Sequence, residues 1–344
     1  MPTFHDVMIA YKATRPYVHE TPVLTSNAMQ KRSGHEEIVL KCENLQRTGS
    51  YNLRGGMNFV IRTKQMDLDV NHFVTQSTGN LGLAVALAAN SFSATGHIVI
   101  PEQTNDVVVR SIAHYGGEVY RCGCSRDEQM KLTQRLVSEN NKTSKANGVN
   151  ACVFVHPQDD WLLAGYGTLG VELMLQTDGR LDAVVVPAND GALLAGVALA
   201  VKGMKPNIAV FAAECDAGYS TCDFDNGPVV AVNKGRKSGD TGKDANEDVY
   251  TVDMARQLHT PLNATVAKCV NKHVSGVIKV TAMQKRDAFR FVYERCKLVI
   301  DDNAATAVAA VLTRTVSLLQ YSHIGIVLAG GNVDLDEIPR LARL

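Results

Sequence analysis

The sequence predicts an α/β protein in which mainly parallel β-strands alternate with α-helices. Short runs rich in β-branched residues recur along the chain and are separated by longer stretches with helical spacing, the pattern of successive βαβ units. The chain has 344 residues, of which 45% are hydrophobic and 20% charged. This length and composition are typical of a globular protein that is divided into two lobes.

Eight segments have the composition of buried strands. In chain order they are residues 36–43, 72–77, 96–101, 117–122, 151–157, 181–188, 208–214 and 323–330. Residues 79–92, GNLGLAVALAANSF, begin with glycines and continue with the alanine-rich spacing of a helix. The polar stretch 135–150 is interpreted as a boundary between lobes, and the glycine- and aspartate-rich stretch 233–250 as a solvated loop.

Charge and cysteine usage narrow the class of protein. The 35 basic and 35 acidic residues give a formal net charge of zero, so no nucleic-acid-binding surface is expected. No apolar run approaches the length of a membrane span, and the first 20 residues lack the apolar centre of a signal peptide. The eight cysteines are scattered as in reduced cytosolic proteins. We therefore expect a cytoplasmic protein without a membrane segment.

Six segments, in order along the chain, resemble the fold type II pyridoxal-phosphate enzymes, specifically the serine racemase and serine/threonine dehydratase branch. They are TPVLTSNAMQKRSG (21–34), LKCENLQRTGSYNLRGGMNF (40–59), QSTGNLGLAVALAA (76–89), VHPQDDWLLAGYGTLGVELM (155–174), VVVPANDGALLAGVALAVK (184–202) and IVLAGGNVDL (326–335). The resemblance implies a two-lobed architecture like that of the tryptophan synthase β-subunit, with parallel sheets flanked by helices. Residues 1–71 and 149–344 would form the large lobe and residues 72–148 the small lobe, with the cofactor in the crevice between them.

The resemblance places Asn52 where the family carries the lysine that forms a Schiff base with pyridoxal phosphate and moves the α-proton of the substrate. A carboxamide can neither condense with an aldehyde nor act as a base near neutral pH. Lys41 belongs to a strand and Lys64 lies three turns further along the helix, so neither is expected to reach the position of residue 52.

The resemblance also places residues 188–192 at the glycine-rich loop that binds the cofactor's phosphate. Consecutive glycines let several backbone N–H groups approach the phosphate at a helix N-terminus. Here only Gly191 is kept, while Asn189, Asp190 and Ala192 replace the other glycines. The Asp190 carboxylate would repel a phosphate at about 4 Å by roughly 1 kcal/mol even in water. The stretch is therefore interpreted as a turn and helix cap rather than as a phosphate site.

Other family positions are altered or kept in part. Ala329 stands where the family has a serine or cysteine facing the ring nitrogen, and Thr78 where serine racemase has its second acid/base serine. Asn80 resembles the family's contact to the ring hydroxyl. Together Ser77, Thr78, Gly79 and Asn80 form the substrate-binding loop that the resemblance implies.

Residues 214–220, ECDAGYS, resemble the loop that supplies ligands to the family's divalent cation. Glu214 is kept, Gly218 would contribute through the backbone, and Ser220 stands where the family has an aspartate. Asp301 could stand in for a nearby family glutamate. A hard cation prefers six or more oxygen ligands with negative charge among them, so a magnesium or calcium site would lack one of its ligands.

Loss of the lysine, the phosphate glycines and the ring-nitrogen partner predicts a cofactor site that has decayed as a unit. The leading hypothesis is a pseudoenzyme without a cofactor, which binds a small amino acid or a partner subunit, as a homodimer or as a heterodimer with an active paralogue. The second is a working pyridoxal-phosphate-dependent serine/threonine racemase or ammonia-lyase. The third is an enzyme that uses the crevice without pyridoxal phosphate, with Asp190 or His156 as acid/base.

Overall fold

The computed structural model describes residues 1–77, 79–146, 152–216 and 254–342, so the predicted loop at 233–250 lies outside the described residues. The strands are β1 (Val23–Thr25), β2 (Glu37–Cys42), β3 (His72–Gln76), β4 (Thr95–Pro101), β5 (Glu118–Cys122), β6 (Cys152–Phe154), β7 (Ala183–Pro187), β8 (Ala209–Cys215), β9 (Gly276–Val280) and β10 (His323–Leu328). The helices are α1 (Phe4–Thr14), α2 (Asn27–Ser33), α3 (Asn52–Met66), α4 (Asn80–Asn90), α5 (Asp106–His114), α6 (Arg126–Ala146), α7 (Asp160–Gln176), α8 (Ala192–Met204), α9 (Ala264–His273), α10 (Ala282–Phe291), α11 (Asp302–Leu312) and α12 (Ile338–Ala342).

Two sheets organise the described residues. The larger sheet has the strand order β1-β2-β10-β7-β8-β9, and its pairs are parallel except for β1 with β2. The smaller sheet has the order β5-β4-β3-β6 and is parallel throughout. Parallel sheets need helical crossovers that cover their faces. The predicted α/β class, with parallel sheets flanked by helices, is confirmed.

The predicted strands are all present, and α4 falls within the predicted helix at 79–92. Two further strands, β1 and β9, were not predicted. β1 is only three residues long, and β9 contains a glycine and a lysine, which weaken its strand pattern. Because β6 pairs with β3, the proposed boundary at 148 leaves the fourth strand of the smaller sheet in the large lobe.

Helix α7 packs closely against both α3 and α8 in the larger hydrophobic core. Glycines permit this approach. A Cβ on Gly165 of α7 would lie 2.5 Å from the carbonyl oxygen of Arg54 on α3. A Cβ on Gly196 of α8 would lie 2.4 Å from the carbonyl oxygen of Leu163 on α7. Both distances are too short for any larger residue. The position of α3 is thereby fixed by helix packing.

Four charged side chains, Lys41, Glu43, Arg54 and Glu172, form a buried charge cluster beneath the start of α3. Arg54 is fully buried. Its guanidinium donates to the Glu43 carboxylate and to the Glu172 carboxylate, and the shortest N···O distance to each is 2.7 Å. Lys41 Nζ lies 2.7 Å from the Glu172 carboxylate. Two cations balance two anions, which is what burial of charge requires.

Candidate active-site crevice

The start of α3 is held against the end of β10. The Tyr51 N–H donates to the Ala329 carbonyl oxygen at 3.0 Å, and Ser50 and Gly330 form an isolated antiparallel bridge. The carboxyl end of a parallel strand is where open α/β sheets normally bind ligands. The structure therefore brings together Asn52 and Ala329, two of the residues singled out from the sequence.

Asn52 is a nearly buried side chain with hydrogen-bond partners at both ends. Its Nδ2 donates to Ser50 Oγ over a long 3.4 Å, and its Oδ1 accepts from the Tyr166 hydroxyl at 3.3 Å. The Tyr166 ring fills the adjacent space, since a Cβ on Gly55 would lie 2.2 Å from it. Residue 52 is thus a short amide packed beside an aromatic ring.

The two lysines nearest in sequence are engaged elsewhere. Lys41 Nζ belongs to the buried charge cluster and also donates to the Thr21 carbonyl oxygen at 2.8 Å and Gln176 Oε1 at 2.9 Å. Lys64 Nζ, near the far end of α3, donates to Asn71 Oδ1 at 2.7 Å. Neither amine lies at the position of Asn52.

The loop before α8 enters the same crevice. Asn189 Nδ2 donates to the Tyr51 hydroxyl at 3.3 Å. Gly191, the N-cap residue of α8, has the left-handed φ of 80° that favours glycine. The Asp190 carboxylate accepts the Ala192 N–H at 3.0 Å. Residue 190 keeps some exposed surface, but its carboxyl group is enclosed by protein, and this burial raises its pKa from 3.8 to about 6.

This raised pKa predicts a pH-dependent effect of Asp190→Asn on stability. A carboxyl with a higher pKa in the folded state stabilises the fold below its unfolded pKa near 4, and that contribution is lost as the pH rises through about 6. The amide introduced by the substitution could still accept the Ala192 N–H but would carry no charge. As the pH rises from about 4 to about 7.5, we expect the free energy of unfolding of the variant to increase relative to that of the wild type by on the order of 2 kcal/mol. The melting temperatures of the two proteins should then differ by several degrees more at pH 7.5 than at pH 4.

The matched control is Asp69→Asn, at an exposed carboxylate, which should melt like the wild type throughout. Equal differences between Asp190→Asn and the wild type at both ends of the pH range would contradict the interpretation.

Asn80 joins the two sides of the crevice. Its Nδ2 lies 3.4 Å from Asp301 Oδ2, and its Oδ1 accepts from Asn332 Nδ2 at 2.8 Å. Asp301 also caps α11 by accepting the Ala304 N–H at 2.9 Å. Burial raises the pKa of Asp301 to about 6. Asp301, considered from the sequence as a cation ligand, is thus placed at the crevice beside Asn80.

The loop before α4 is ordered by Ser77. Its Oγ accepts the N–H groups of Gly79 and Gly82, both at 3.0 Å. Thr78 lies outside the described residues. The roles of Ser77, Thr78, Gly79 and Asn80 in binding a substrate stay predictions.

Of the proposed cation ligands, Glu214 and Asp301 lie within the described residues. Glu214 forms an ion pair with Lys279 and accepts the His259 N–H at 2.9 Å. Gly218 and Ser220 lie outside the described residues. Over the described ranges, no group of three or more His, Cys, Asp or Glu side chains could hold a metal ion.

His156, the third hypothesis's other acid/base candidate, is exposed and accepts the Gln158 N–H through Nδ1 at 3.1 Å. Gln158 in turn donates to the Asp190 carbonyl oxygen at 2.9 Å. The histidine therefore shapes the turn that supports the loop before α8.

Comparison with known proteins identifies the fold and its branch. The family described as pyridoxal-phosphate dependent enzyme matches residues 14–330. The chain is 32% identical to the serine racemase of Dictyostelium discoideum over 343 residues, covering 98% of this chain and 97% of that protein. It is 30% identical to the L-threo-3-hydroxyaspartate ammonia-lyase of Saccharomyces cerevisiae over 337 residues, covering 97% of this chain and 94% of that protein. The crystal structure of the Dictyostelium racemase matches with a TM-score of 0.77 at 31% identity, over 97% of this chain and 99% of that chain.

These findings correct one expectation from the sequence. The expectation that no cofactor is bound is wrong, because the family and the racemase relatives point to pyridoxal phosphate as the cofactor. Loss of the lysine at residue 52 does not by itself mean loss of the ligand. A changed attachment residue removes one covalent bond, whereas family membership rests on most of the chain.

The residues in the crevice do not fit this group in the way that the family attaches it. Asn52 offers no amine for a covalent bond. At α8, the first N–H of the helix is already accepted by the Asp190 carboxylate. Asn80 keeps both its type and a place in the crevice, as does Gly191 at the start of α8.

None of the helices among the described residues has the length and apolar character of a membrane span.

The matched family and the racemase structure confirm the type II architecture that the six segments implied. The chain belongs to the pyridoxal-phosphate-dependent enzyme family, in the serine racemase and serine/threonine dehydratase branch of fold type II.

Proposed function

We propose that this chain binds a small amino acid in its crevice and does not racemise or dehydrate it alone. Asn52 carries this proposal. Both reactions require removal of the α-proton by a base, and a carboxamide held between Ser50 Oγ and the Tyr166 hydroxyl is not a base. The amines of Lys41 and Lys64, the nearest in sequence, have acceptors elsewhere.

The crevice has the charges that a zwitterion needs. The dipole of α4, which follows Gly79, favours a carboxylate at the N-terminus of this helix. Asp301, beside Asn80, favours an ammonium group on the other side. This arrangement supports an α-amino acid as the class of ligand.

The relatives favour a second candidate, a working pyridoxal-phosphate-dependent racemase or ammonia-lyase acting on serine, threonine or 3-hydroxyaspartate. The Dictyostelium and Saccharomyces relatives are named for such activities and match this chain over nearly its full length. On this candidate, the chain would use pyridoxal phosphate with a base other than residue 52.

Turnover with added pyridoxal phosphate separates the two candidates. We expect L-serine, L-threonine and L-threo-3-hydroxyaspartate to yield neither the opposite enantiomer nor a keto acid above background, because Asn52 cannot take the α-proton. Chiral chromatography and a keto-acid assay measure this, beside an active serine racemase. Calorimetry with the same amino acids should show binding. Turnover that persists in Asn52→Ala would support the second candidate and reject the first.

We also propose a cytoplasmic homodimer, by analogy with the branch, which light scattering of the purified protein tests. The relatives lend no support to a heterodimer with an active paralogue. If co-purification with an active racemase raised that enzyme's rate, the partner role would replace the amino-acid-binding role.

A further inference from the structure

The N-terminus of α8 is the place where a phosphate would be expected in this family, and two of its N–H donors are already used. A helix N-terminus attracts an anion when its N–H groups are free to point at the ligand. In this chain the Gly191 N–H donates to the Ala188 carbonyl oxygen at 2.7 Å. The Ala192 N–H donates to Asp190 Oδ1 at 3.0 Å. The chain's own carboxylate therefore takes a position that suits an anion.

Contacts on both sides fix this loop. Asn189 is tied to the Tyr51 hydroxyl at 3.3 Å, and the Asp190 carbonyl oxygen accepts from Gln158 Nε2 at 2.9 Å. The Leu262 side chain packs over Gly191, since a Cβ there would lie 2.5 Å from it. These contacts hold the backbone of the loop in place, so a phosphate at this helix N-terminus would have to displace the Asp190 carboxylate from the Ala192 N–H.

The charge around the loop is also unfavourable to an anion. Within the described part of the chain, no Lys or Arg forms a salt bridge with Asp190. Burial has the largest effect in raising the pKa of the Tyr51 hydroxyl, and the carboxylates of Asp190 and Asp301 raise it further. Burial likewise raises the pKa of Tyr166, to which the negative charge of Asp190 adds. A phosphate would thus enter among carboxylates.

We propose that Asp190 is a built-in anion that closes the N-terminus of α8 to phosphate, so that this end of the crevice admits a neutral or cationic group. The inference concerns the phosphate end of a ligand alone, and it does not depend on Asn52. The inference adds a ligand specificity to the proposed function: unphosphorylated amines bind as tightly as their phosphate esters.

Pyridoxamine and pyridoxamine phosphate are suitable probes, because they differ by the phosphate and carry no aldehyde that would react with surface lysines. Calorimetry near pH 7.5 would compare them on the wild-type protein, Asp190→Gly and Asp190→Asn. The wild type should bind the two within about threefold of each other. Asp190→Gly removes the charge and frees the Ala192 N–H, so it should prefer the phosphate ester by about tenfold or more. Asp190→Asn removes the charge alone and should show a smaller preference, about threefold.

Melting curves with inorganic phosphate give a second readout that needs neither amine to bind. Phosphate should raise the melting temperature of Asp190→Gly and leave the wild type unchanged. A wild type that prefers the phosphate ester by about tenfold, or an Asp190→Gly variant that gains no phosphate binding by either method, would overturn the proposal. If Asp190→Gly fails to fold, Asp190→Asn provides the test: a threefold preference for the phosphate ester supports the proposal, and no preference overturns it. These binding experiments use no substrate, so a negative result would leave the proposal on Asn52 intact. Conversely, turnover of an amino acid by the wild type would leave the proposal on Asp190 intact.

Discussion

Arg54→Ala is expected to destabilise the protein by about 3 to 5 kcal/mol, the largest effect on stability that the structure predicts for one side chain. The guanidinium lies between Glu43 and Glu172, and it makes two hydrogen bonds to each carboxylate at 2.7 or 2.8 Å. The substitution would leave two buried carboxylates with the single cation Lys41, far from water that could replace the lost charge.

The measurement is the midpoint of urea unfolding, with soluble yield recorded beside it. Arg290→Ala is the control, because Arg290 makes a comparable contact to Glu294 at the surface, where such pairs contribute about 0 to 1 kcal/mol. A loss below about 1 kcal/mol in Arg54→Ala would show that the buried charge cluster tolerates an unpaired anion, contrary to its geometry.

Asn52→Lys is expected to leave racemisation and dehydration undetectable, at least about a thousandfold below an active serine racemase. Restoring an amine restores one requirement of proton transfer, but reaction rates fall steeply when reacting groups are misplaced by about 1 Å. The Tyr166 ring occupies the space beside residue 52, against Gly55. The Asp190 carboxylate still fills the N-terminus of α8.

Both reactions can be followed with L-serine and added pyridoxal phosphate, by chiral chromatography and by keto-acid formation. The matched variant combines Asn52→Lys with Asp190→Gly and should be the more active of the two. If Asn52→Lys alone came within about tenfold of an active racemase, the concerted change of the crevice would be rejected and residue 52 would be the sole defect.

The parts of this protein that follow from local sequence were predictable. The β-branched runs gave the central strands, and glycines followed by alanine-rich spacing gave α4. Family resemblance then placed Asn52 and Ala329 in one crevice. The hydrogen bond from the Tyr51 N–H to the Ala329 carbonyl oxygen shows that these two parts of the chain are adjacent. β1 and β9 were missed because their propensity is weak and pairing with neighbouring strands stabilises them.

Contacts between distant segments could not be predicted from one sequence. Tyr166 lies within the segment 155–174 that resembles the family, where an aromatic residue in an apolar helix normally indicates core packing. Its hydrogen bond to Asn52 depends on how α3 and α7 cross. Similarly, Asp301 has the pattern of a helix cap, and its contact with Asn80 depends on how the start of α4 packs against the start of α11.

The place of β10 in the larger sheet has a consequence for synthesis of the protein on the ribosome. β10 lies between β2, near the beginning of the chain, and β7. It is the last strand of this sheet to be translated, so β2 and β7 must each keep an open edge until β10 has emerged. At about 5 to 20 residues per second, 344 residues take roughly 15 to 70 s. During that interval the exposed strand edges are targets for aggregation or chaperone binding, and the crevice at residue 52 can form only after β10 has emerged.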